Sequence, residues 1–138
     1  MIRALATLAI LLLPLTARAG MVDVRIDLSD QEITVSLDDR PQYFWPVSTA
    51  RAGKCTPIGT YGVQSMKRMH YSTLYKNAPM PWSIFFNGNY AIHGTTQIDR
   101  LGTPASAGCV RLHPENAKAL FDMVLANGRA NTVIRIED

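Results

Sequence analysis

Two side chains in this sequence have the chemistry of a nucleophile and its base. A thiol attacks only as the thiolate, and a cysteine with an unperturbed pKa of about 8.5 is only a few per cent ionised at pH 7, so Cys109 needs a base. His93 ends a β-like run and is followed by Gly94 and Thr95, which places it where a strand gives way to a loop. The sixteen positions from His93 to Cys109 are enough for the chain to fold back and set imidazole against sulfur. The pair therefore predicts nucleophilic catalysis by a thiol.

The residues beside Cys109 fit the same interpretation. Gly108 has no side chain, so a substrate can approach the backbone closely, and the N–H groups around Gly108 and Cys109 could bind a developing oxyanion. Arg111 adds a fixed positive charge nearby. That charge could favour the thiolate or hold a substrate carboxylate. The alternative interpretation, a structural arginine that hydrogen-bonds to loop carbonyls, fits the sequence equally well.

Cys55 is the only other cysteine, and it leaves an alternative open. In an exported protein an even number of cysteines also fits a disulfide, here Cys55–Cys109, which would remove the nucleophile. Composition alone does not decide between the two. The two cysteines and three histidines show no paired ligand spacing, so neither a metal nor another cofactor is predicted.

The amino-terminal residues have the layout of a cleavable secretory signal. Arg3 is followed by an apolar run from Leu5 to Leu15 and a small-x-small site ending at Ala19. The run is short for a bilayer span, although an uncleaved anchor is the alternative. We therefore predict a signal peptide over residues 1–19 and one exported domain over residues 20–138. No cysteine follows the predicted cut, so a lipid anchor is not expected.

Charge and length narrow the class of protein further. The net charge of +3 includes two arginines of the predicted signal, without which 12 basic residues face 11 acidic ones. The charges are scattered, so nucleic acid is not a predicted partner. The remaining 119 or so residues suit a single domain with one core, which we expect to be a monomer.

The hydrophobic pattern predicts a mostly β domain of packed sheets. Alternation or short apolar runs predict strands near residues 22–28, 33–37, 42–48, 61–66, 82–87, 89–93 and 132–137. One helix is predicted over about 114–127, since Pro114 suits a first helical position and apolar residues then recur at three-and-four spacing up to Asn127-Gly128. The stretches 67–81 and 94–108 are predicted to be long loops of the kind that form lids or binding sites. The aromatic residues Tyr43, Phe44 and Trp45 are expected in the core and at the edge of the sandwich.

Four stretches resemble one known family. IHGT at 92–95, with LGTPASAGCVRL at 101–112, resembles the signature of the L,D-transpeptidase catalytic domain, the YkuD-like family of periplasmic and cell-wall enzymes. TPIGTYGV at 56–63 and MPWSIFF at 80–86 are similar to further segments of that family. The resemblance covers nearly all of the chain after the predicted signal. It implies a β-sandwich-like catalytic domain.

The resemblance also implies roles for particular residues. Cys109 would be acylated, with His93 as general base and then acid, and the carbonyl of Gly94 would orient the imidazole. The substrate would be the tetrapeptide stem of peptidoglycan, cut between its third and fourth residues, and the thioester would pass to an amine. Water as acceptor would make the protein an L,D-carboxypeptidase or hydrolase. Carbapenems are the expected inhibitors. Further expected substrate contacts, each with a structural alternative, are Arg111, Ser106, Thr95, Trp82 and Tyr90.

The sequence departs from the family pattern at Ala107, where many members carry histidine. The base is assigned to His93, so the departure leaves the predicted chemistry in place but removes a possible loop or substrate contact. His113 precedes Pro114 and is expected to cap the helix, while His70 is expected in solvent or against a lid. A rival from another class is a non-catalytic wall-binding module held by a Cys55–Cys109 disulfide.

Overall fold

A computed structural model describes residues 14–138 of the chain. Most of the predicted signal peptide, residues 1–13, lies outside the described residues, and residues 14–19 are exposed and without regular structure. Within residues 14–138, no helix combines the length and the apolar character needed to cross a membrane.

Residues 14–138 contain nine strands and one α-helix, against seven strands and one helix predicted: the strand at 110–112 was not predicted, and the strand predicted at 61–66 is divided in two. In chain order they are β1 (Val22–Asp27), β2 (Glu32–Leu37), β3 (Arg40–Pro46), β4 (Gly59–Tyr61), β5 (Ser65–Tyr71), β6 (Pro79–Asn87), β7 (Tyr90–Gly94), β8 (Val110–Leu112), α1 (Pro114–Asn127) and β9 (Thr132–Glu137). Short 3-10 turns cover Ile98–Arg100 and Arg129–Asn131.

The strands form two sheets. The first has the order β3-β2-β1-β9-β4, and its central strands alternate buried with more exposed residues, as half-buried strands do. The second has the order β5-β6-β7-β8, in which β7 and β8 run parallel and His93 pairs with Arg111. A parallel pair needs a crossover connection, and the loop from Thr95 to Cys109 is that crossover. The second sheet therefore brings the two predicted catalytic segments together.

The helix covers the second sheet and completes the core. Its buried face consists of Ala117, Leu120, Phe121 and Val124, and it contacts β6 and β7. This face joins one continuous apolar cluster with the inner residues of both sheets, including Ile26, Val35, Ile84, Ile92 and Ile134. Because Ile92 of β7 belongs to this cluster, the core fixes the position of β7.

The predicted fold class is confirmed: the domain is mostly β, with two sheets and one main helix over the predicted residues. The prediction was wrong around residues 61–71, where a break separates β4 from β5 and the supposed loop begins with a strand. β5 is an edge strand whose Lys67, Arg68 and Met69 are all exposed, so it lacks the alternation that identifies a half-buried strand.

The aromatic run of β3 lies at the sheet edge rather than in the core. Phe44 is 65% exposed, and Tyr43 stacks on the half-buried Trp45 with ring centroids 4.4 Å apart. The core part of that prediction was therefore wrong for Tyr43 and Phe44, because β3 has no neighbouring strand on its outer side.

Candidate active site

A cleft of about 470 Å³ opens at the end of the second sheet where β7 and β8 meet. Its walls come from the β5–β6 loop, the β6–β7 turn, the loop after β7 and the loop before β8. His93 and Cys109 both line it, as do His70, Tyr90 and Arg111. A thiol, two imidazoles and a guanidinium thus share one solvent-accessible space.

The register of two parallel strands explains how residues sixteen positions apart become neighbours. Ile92 pairs with Val110 and His93 with Arg111. Cys109 precedes β8 directly, so alternation turns its side chain to the same face as Arg111. His93 is paired with Arg111, and its side chain therefore shares that face with the thiol.

The imidazole of His93 is held by the backbone carbonyl of the next residue. Its Nδ1 lies 2.7 Å from the carbonyl oxygen of Gly94. A carbonyl can only accept, so Nδ1 carries the proton and Nε2 is the basic nitrogen. Glycine permits tight packing here, because a Cβ on Gly94 would come within 3.0 Å of Pro81 and of the Pro114 backbone.

Burial keeps this imidazole neutral. His93 is only 6% exposed, and burial lowers its pKa to about 4, although the bond to Gly94 opposes the shift and the charge of Arg111 adds to it. At pH 7 the ring is therefore uncharged.

The thiol of Cys109 is also neutral at rest. Burial raises its pKa, while a hydrogen bond from the Ala91 backbone and the charge of Arg111 act in the opposite direction. Sγ lies 3.7 Å from the carbonyl oxygen of Asn89, which accepts the weak S–H bond. Near neutral pH the two groups are therefore an uncharged thiol and an uncharged imidazole.

Both cysteines are free thiols, with Cys55 exposed and Cys109 partly buried. The alternative of a Cys55–Cys109 disulfide is therefore not what the structure shows. Cys55 does not line the cleft. Its neighbour Thr56 is buried, and the Thr56 hydroxyl donates to the carbonyl of Gly108 at 2.8 Å, which ties this segment to the loop that carries Cys109.

The loop before Cys109 uses one of the N–H groups predicted to bind an oxyanion. The N–H of Gly108 donates to Oγ of Ser106 at 3.0 Å, and that hydroxyl donates to the carbonyl of Cys109 at 2.6 Å. Ser106 is fully buried, so it holds the loop, the structural alternative to a substrate contact. Within residues 14–138, no acceptor takes the N–H of Cys109, which lies just outside β8. Of the two N–H groups predicted to bind an oxyanion, it is the one that has no acceptor in this part of the chain.

Gly108 is required at its position for steric reasons. Its φ is +143°, and a Cβ there would lie 2.5 Å from the ring of Tyr90 and 2.9 Å from the Cys55 carbonyl. Tyr90 is thus a cleft-lining residue that also packs directly against the loop that carries Cys109.

Of two other residues predicted to contact substrate, Thr95 lies in the cleft and Trp82 does not. Thr95 lines the cleft but is 6% exposed, and its hydroxyl accepts the N–H of Gln97 at 3.1 Å. Trp82 lies outside the cleft and packs edge-on against Phe121 of α1, with ring centroids 5.4 Å apart and Lys118 over its indole ring.

The two remaining histidines differ in role. Nδ1 of His113 accepts the N–H of Glu115 at 3.2 Å, so this residue caps α1 as predicted. His70 lines the cleft wall and meets the ring of Phe85 edge-on at 5.1 Å. Within the described part of the chain, no three potential ligands among His, Cys, Asp and Glu side chains are grouped to hold a metal ion.

Sequence reasoning missed two residues of the site. Thr56 anchors Gly108, and Gln97 accepts a hydrogen bond from Nη1 of Arg111 at 3.0 Å. Neither residue has a type that indicates chemistry by itself. The TPIGTYGV stretch was the only signal near Thr56, and nothing in the sequence indicated Gln97.

The fold and the cleft define a β-sandwich-like domain with a candidate thiol–imidazole site at one end of its second sheet. Residues 22–135 match the YkuD family, the L,D-transpeptidase catalytic domain. The chain therefore belongs to the L,D-transpeptidase family.

Individual proteins show the same relationship. The chain is 25% identical over 116 residues to the putative L,D-transpeptidase YkuD of Bacillus subtilis, covering 81% of this chain and 65% of that protein. Its fold is similar to an L,D-transpeptidase from Mycobacterium smegmatis, with a TM-score of 0.78, 20% identity and coverage of 86% of this chain and 59% of the other. L,D-transpeptidase 3 of Mycobacterium tuberculosis, solved with a faropenem-derived adduct, has a TM-score of 0.74 at 18% identity, with coverage of 86% and 61%. The chain thus spans about two thirds or less of the length of these proteins.

The buried neutral imidazole predicts a pH dependence of stability. The unfolded state binds a proton at His93 below a pKa of about 6.5, whereas the folded state does so only near its pKa of about 4. The free energy of unfolding is therefore unaffected by titration of His93 above pH 6.5. It falls by about 3 kcal/mol as the pH decreases from 6.5 to about 4, because protons bind the unfolded state preferentially over this range. Urea unfolding at pH 7 and pH 4.5 should show a smaller loss for His93→Gln than for the wild type. Parallel loss in both proteins would contradict the assignment.

Proposed function

We propose that this protein is a peptidoglycan L,D-transpeptidase that works as a cysteine acyltransferase. The observation that carries the proposal is a partly buried free thiol and a carbonyl-oriented imidazole that line the same cleft in a member of this family. In the predicted setting the protein is exported, which would place it with its substrate in the periplasm or cell wall.

Acylation begins when Sγ of Cys109 attacks the carbonyl between the third and fourth residues of a tetrapeptide stem. The thiol proton passes to Nε2 of His93, which is available because Nδ1–H is bonded to Gly94. The oxygen of the tetrahedral intermediate is negatively charged, and the N–H of Cys109 is the donor available to bind it. The neutral resting pair means that charge separation develops only with substrate in place.

Collapse of the intermediate breaks the peptide bond. The imidazolium of His93 gives its proton to the departing nitrogen, D-alanine leaves, and Cys109 keeps the rest of the stem as a thioester. An amine then attacks the thioester, His93 takes the amine proton, and the thiol is regenerated. The amine belongs to a second stem peptide, a D-amino acid or a protein, whereas water in its place gives carboxypeptidase or hydrolase activity.

Carbapenem-type compounds are proposed inhibitors. They carry a strained carbonyl that a thiolate can open, and the similar Mycobacterium tuberculosis enzyme was solved with a faropenem-derived adduct. The acyl group would occupy the cleft beside Tyr90 and Arg111.

The test is incubation of the purified protein with disaccharide-tetrapeptide, with the products identified by mass. A cross-linked dimer, or exchange of the terminal residue when a free D-amino acid is added, is the expected result. Tripeptide alone would indicate that water resolves the thioester and would replace the transferase assignment by a carboxypeptidase. No product from a folded protein whose Cys109 reacts with a thiol reagent would overturn the proposal.

A further inference from the structure

Arg111 carries a charge that no carboxylate in its surroundings compensates. Its side chain is half-buried, and within residues 14–138 no Asp or Glu oxygen lies within 4.0 Å of it. Its hydrogen-bonding partner in this part of the chain is Oε1 of Gln97, a neutral amide. A guanidinium has five N–H donors, so most of them remain available to a ligand.

The cleft makes this charge distinctive. Apart from the histidines, Arg111 is the one ionisable basic side chain on the cleft wall, and none of the described lining residues is Asp or Glu. Burial lowers the pKa of Arg111, Cys109 in its charged form acts in the opposite direction, and the positive charge of Arg51 lowers the pKa further. A partly buried charge without a counter-ion is costly, and an anion that enters the cleft would relieve that cost.

The position of Arg111 relative to the nucleophile sets where the anion would bind. Arg111 follows Cys109 by two residues on one strand face, which corresponds to a separation of about 6 to 7 Å along the strand. An anion on Arg111 is therefore close enough to belong to the same molecule as the carbonyl that Cys109 attacks.

Gln97 holds the guanidinium in this position. The backbone N–H of Gln97 is fixed by the hydroxyl of Thr95, and its side chain accepts from Nη1 of Arg111. Gln97 itself is exposed, so its amide contributes little to the core. Its position beside the guanidinium makes it a positioning residue.

We propose that Arg111 and Gln97 form a carboxylate-binding subsite that selects acyl donors with a free carboxylate next to the reacting carbonyl. The proposal rests on the proposed function for the identity of the donor. A stem peptide offers the terminal carboxylate of the departing residue at that position, and a third residue with an acidic side chain would offer a second carboxylate several bonds further away. Both are the same chemistry, and amidated donors distinguish them.

The first experiment tests the subsite without any transpeptidation. In a Cys55→Ser background only Cys109 can be alkylated, and its rate constants with iodoacetate and iodoacetamide are measured by intact mass. The iodoacetate rate constant is divided by the iodoacetamide rate constant. Both reactions depend equally on the fraction of thiolate, so this ratio reports only the preference of the site for an anionic reagent. At low ionic strength, Arg111→Gln should lower this ratio roughly three- to tenfold relative to the Cys55→Ser protein. Added salt should lower the ratio of the Cys55→Ser protein itself, because salt screens the charge of Arg111.

Gln97→Glu provides an independent variant at an exposed position. The new carboxylate would lie beside the guanidinium and compete with an incoming anion, so the ratio should fall as it does for Arg111→Gln. Gln97→Met removes the amide without adding charge and should leave more of the preference than Gln97→Glu does. A ratio that is unchanged in both Arg111→Gln and Gln97→Glu would overturn the subsite.

The second experiment identifies which carboxylate binds. Tetrapeptide donors with a terminal amide or with an amidated third-residue side chain are compared with the free acid. The carboxylate that Arg111 binds is the one whose amidation raises KM several-fold in the wild type and has little effect in Arg111→Gln. Equal KM values for all three donors in the wild type would contradict donor selection. If the alkylation ratio falls as expected while no donor reacts, the subsite stands and the proposed function fails.

Discussion

Cys109→Ser is expected to abolish acyl transfer, lowering kcat/KM by about 10⁴-fold or more. Serine keeps the size and the loop geometry but replaces a thiol by a hydroxyl that is far harder to deprotonate. The base cannot compensate, because burial lowers the pKa of His93 to about 4 and makes its imidazole a weak acceptor. Initial rates with disaccharide-tetrapeptide and intact mass after exposure to a carbapenem measure the loss of turnover and of the adduct.

Cys55→Ser is the matched control for this variant. Cys55 is exposed and does not line the cleft, so the same substitution there should leave the rate within about twofold of the wild type and should leave the carbapenem adduct in place. An adduct that persists in Cys109→Ser, or a comparable loss in Cys55→Ser, would show that Cys109 is not the nucleophile.

His93→Gln is expected to lower kcat by about 10²- to 10⁴-fold, the range that a general base contributes. Glutamine can donate to the Gly94 carbonyl as Nδ1–H does, but it has no nitrogen that accepts a proton near neutral pH. The wild-type rate should fall with decreasing pH only as the pH approaches about 4, because the base works in its neutral form. The residual activity of the variant should lack this acidic limb, which a pH profile of kcat/KM would reveal.

His113→Asn tests whether the loss is specific to the base. Asparagine is a good helix cap, so the bond to the Glu115 N–H can be replaced, and the rate should stay close to that of the wild type. Equal losses in the two histidine variants, or an unchanged acidic limb in His93→Gln, would contradict the role of His93.

Local sequence patterns predicted the elements that contain strong short-range information. Thr132–Glu137 and the helix Pro114–Asn127 match their predicted bounds, because alternation and the three-and-four repeat are properties of neighbouring residues. β5 was missed because an edge strand with exposed Lys67 and Arg68 has no buried face to impose a period. Strand bounds at edges and at breaks thus depend on contacts that the local pattern does not contain.

The sequence by itself determined the family and the fold class, because the residue types and order in IHGT at 92–95 and LGTPASAGCVRL at 101–112 are local features of the chain. It also predicted Cys109 as nucleophile and His93 as base. The tertiary structure alone decided how the surrounding groups are used. In the folded chain the Gly108 N–H donates to Ser106, Trp82 packs against the helix, and Gln97 accepts a hydrogen bond from Arg111. The tertiary structure also left both thiols free and kept the imidazole buried and neutral. These outcomes depend on strand register, loop conformation and desolvation. Because all three arise from contacts between residues distant in the chain, the local sequence pattern does not predict them.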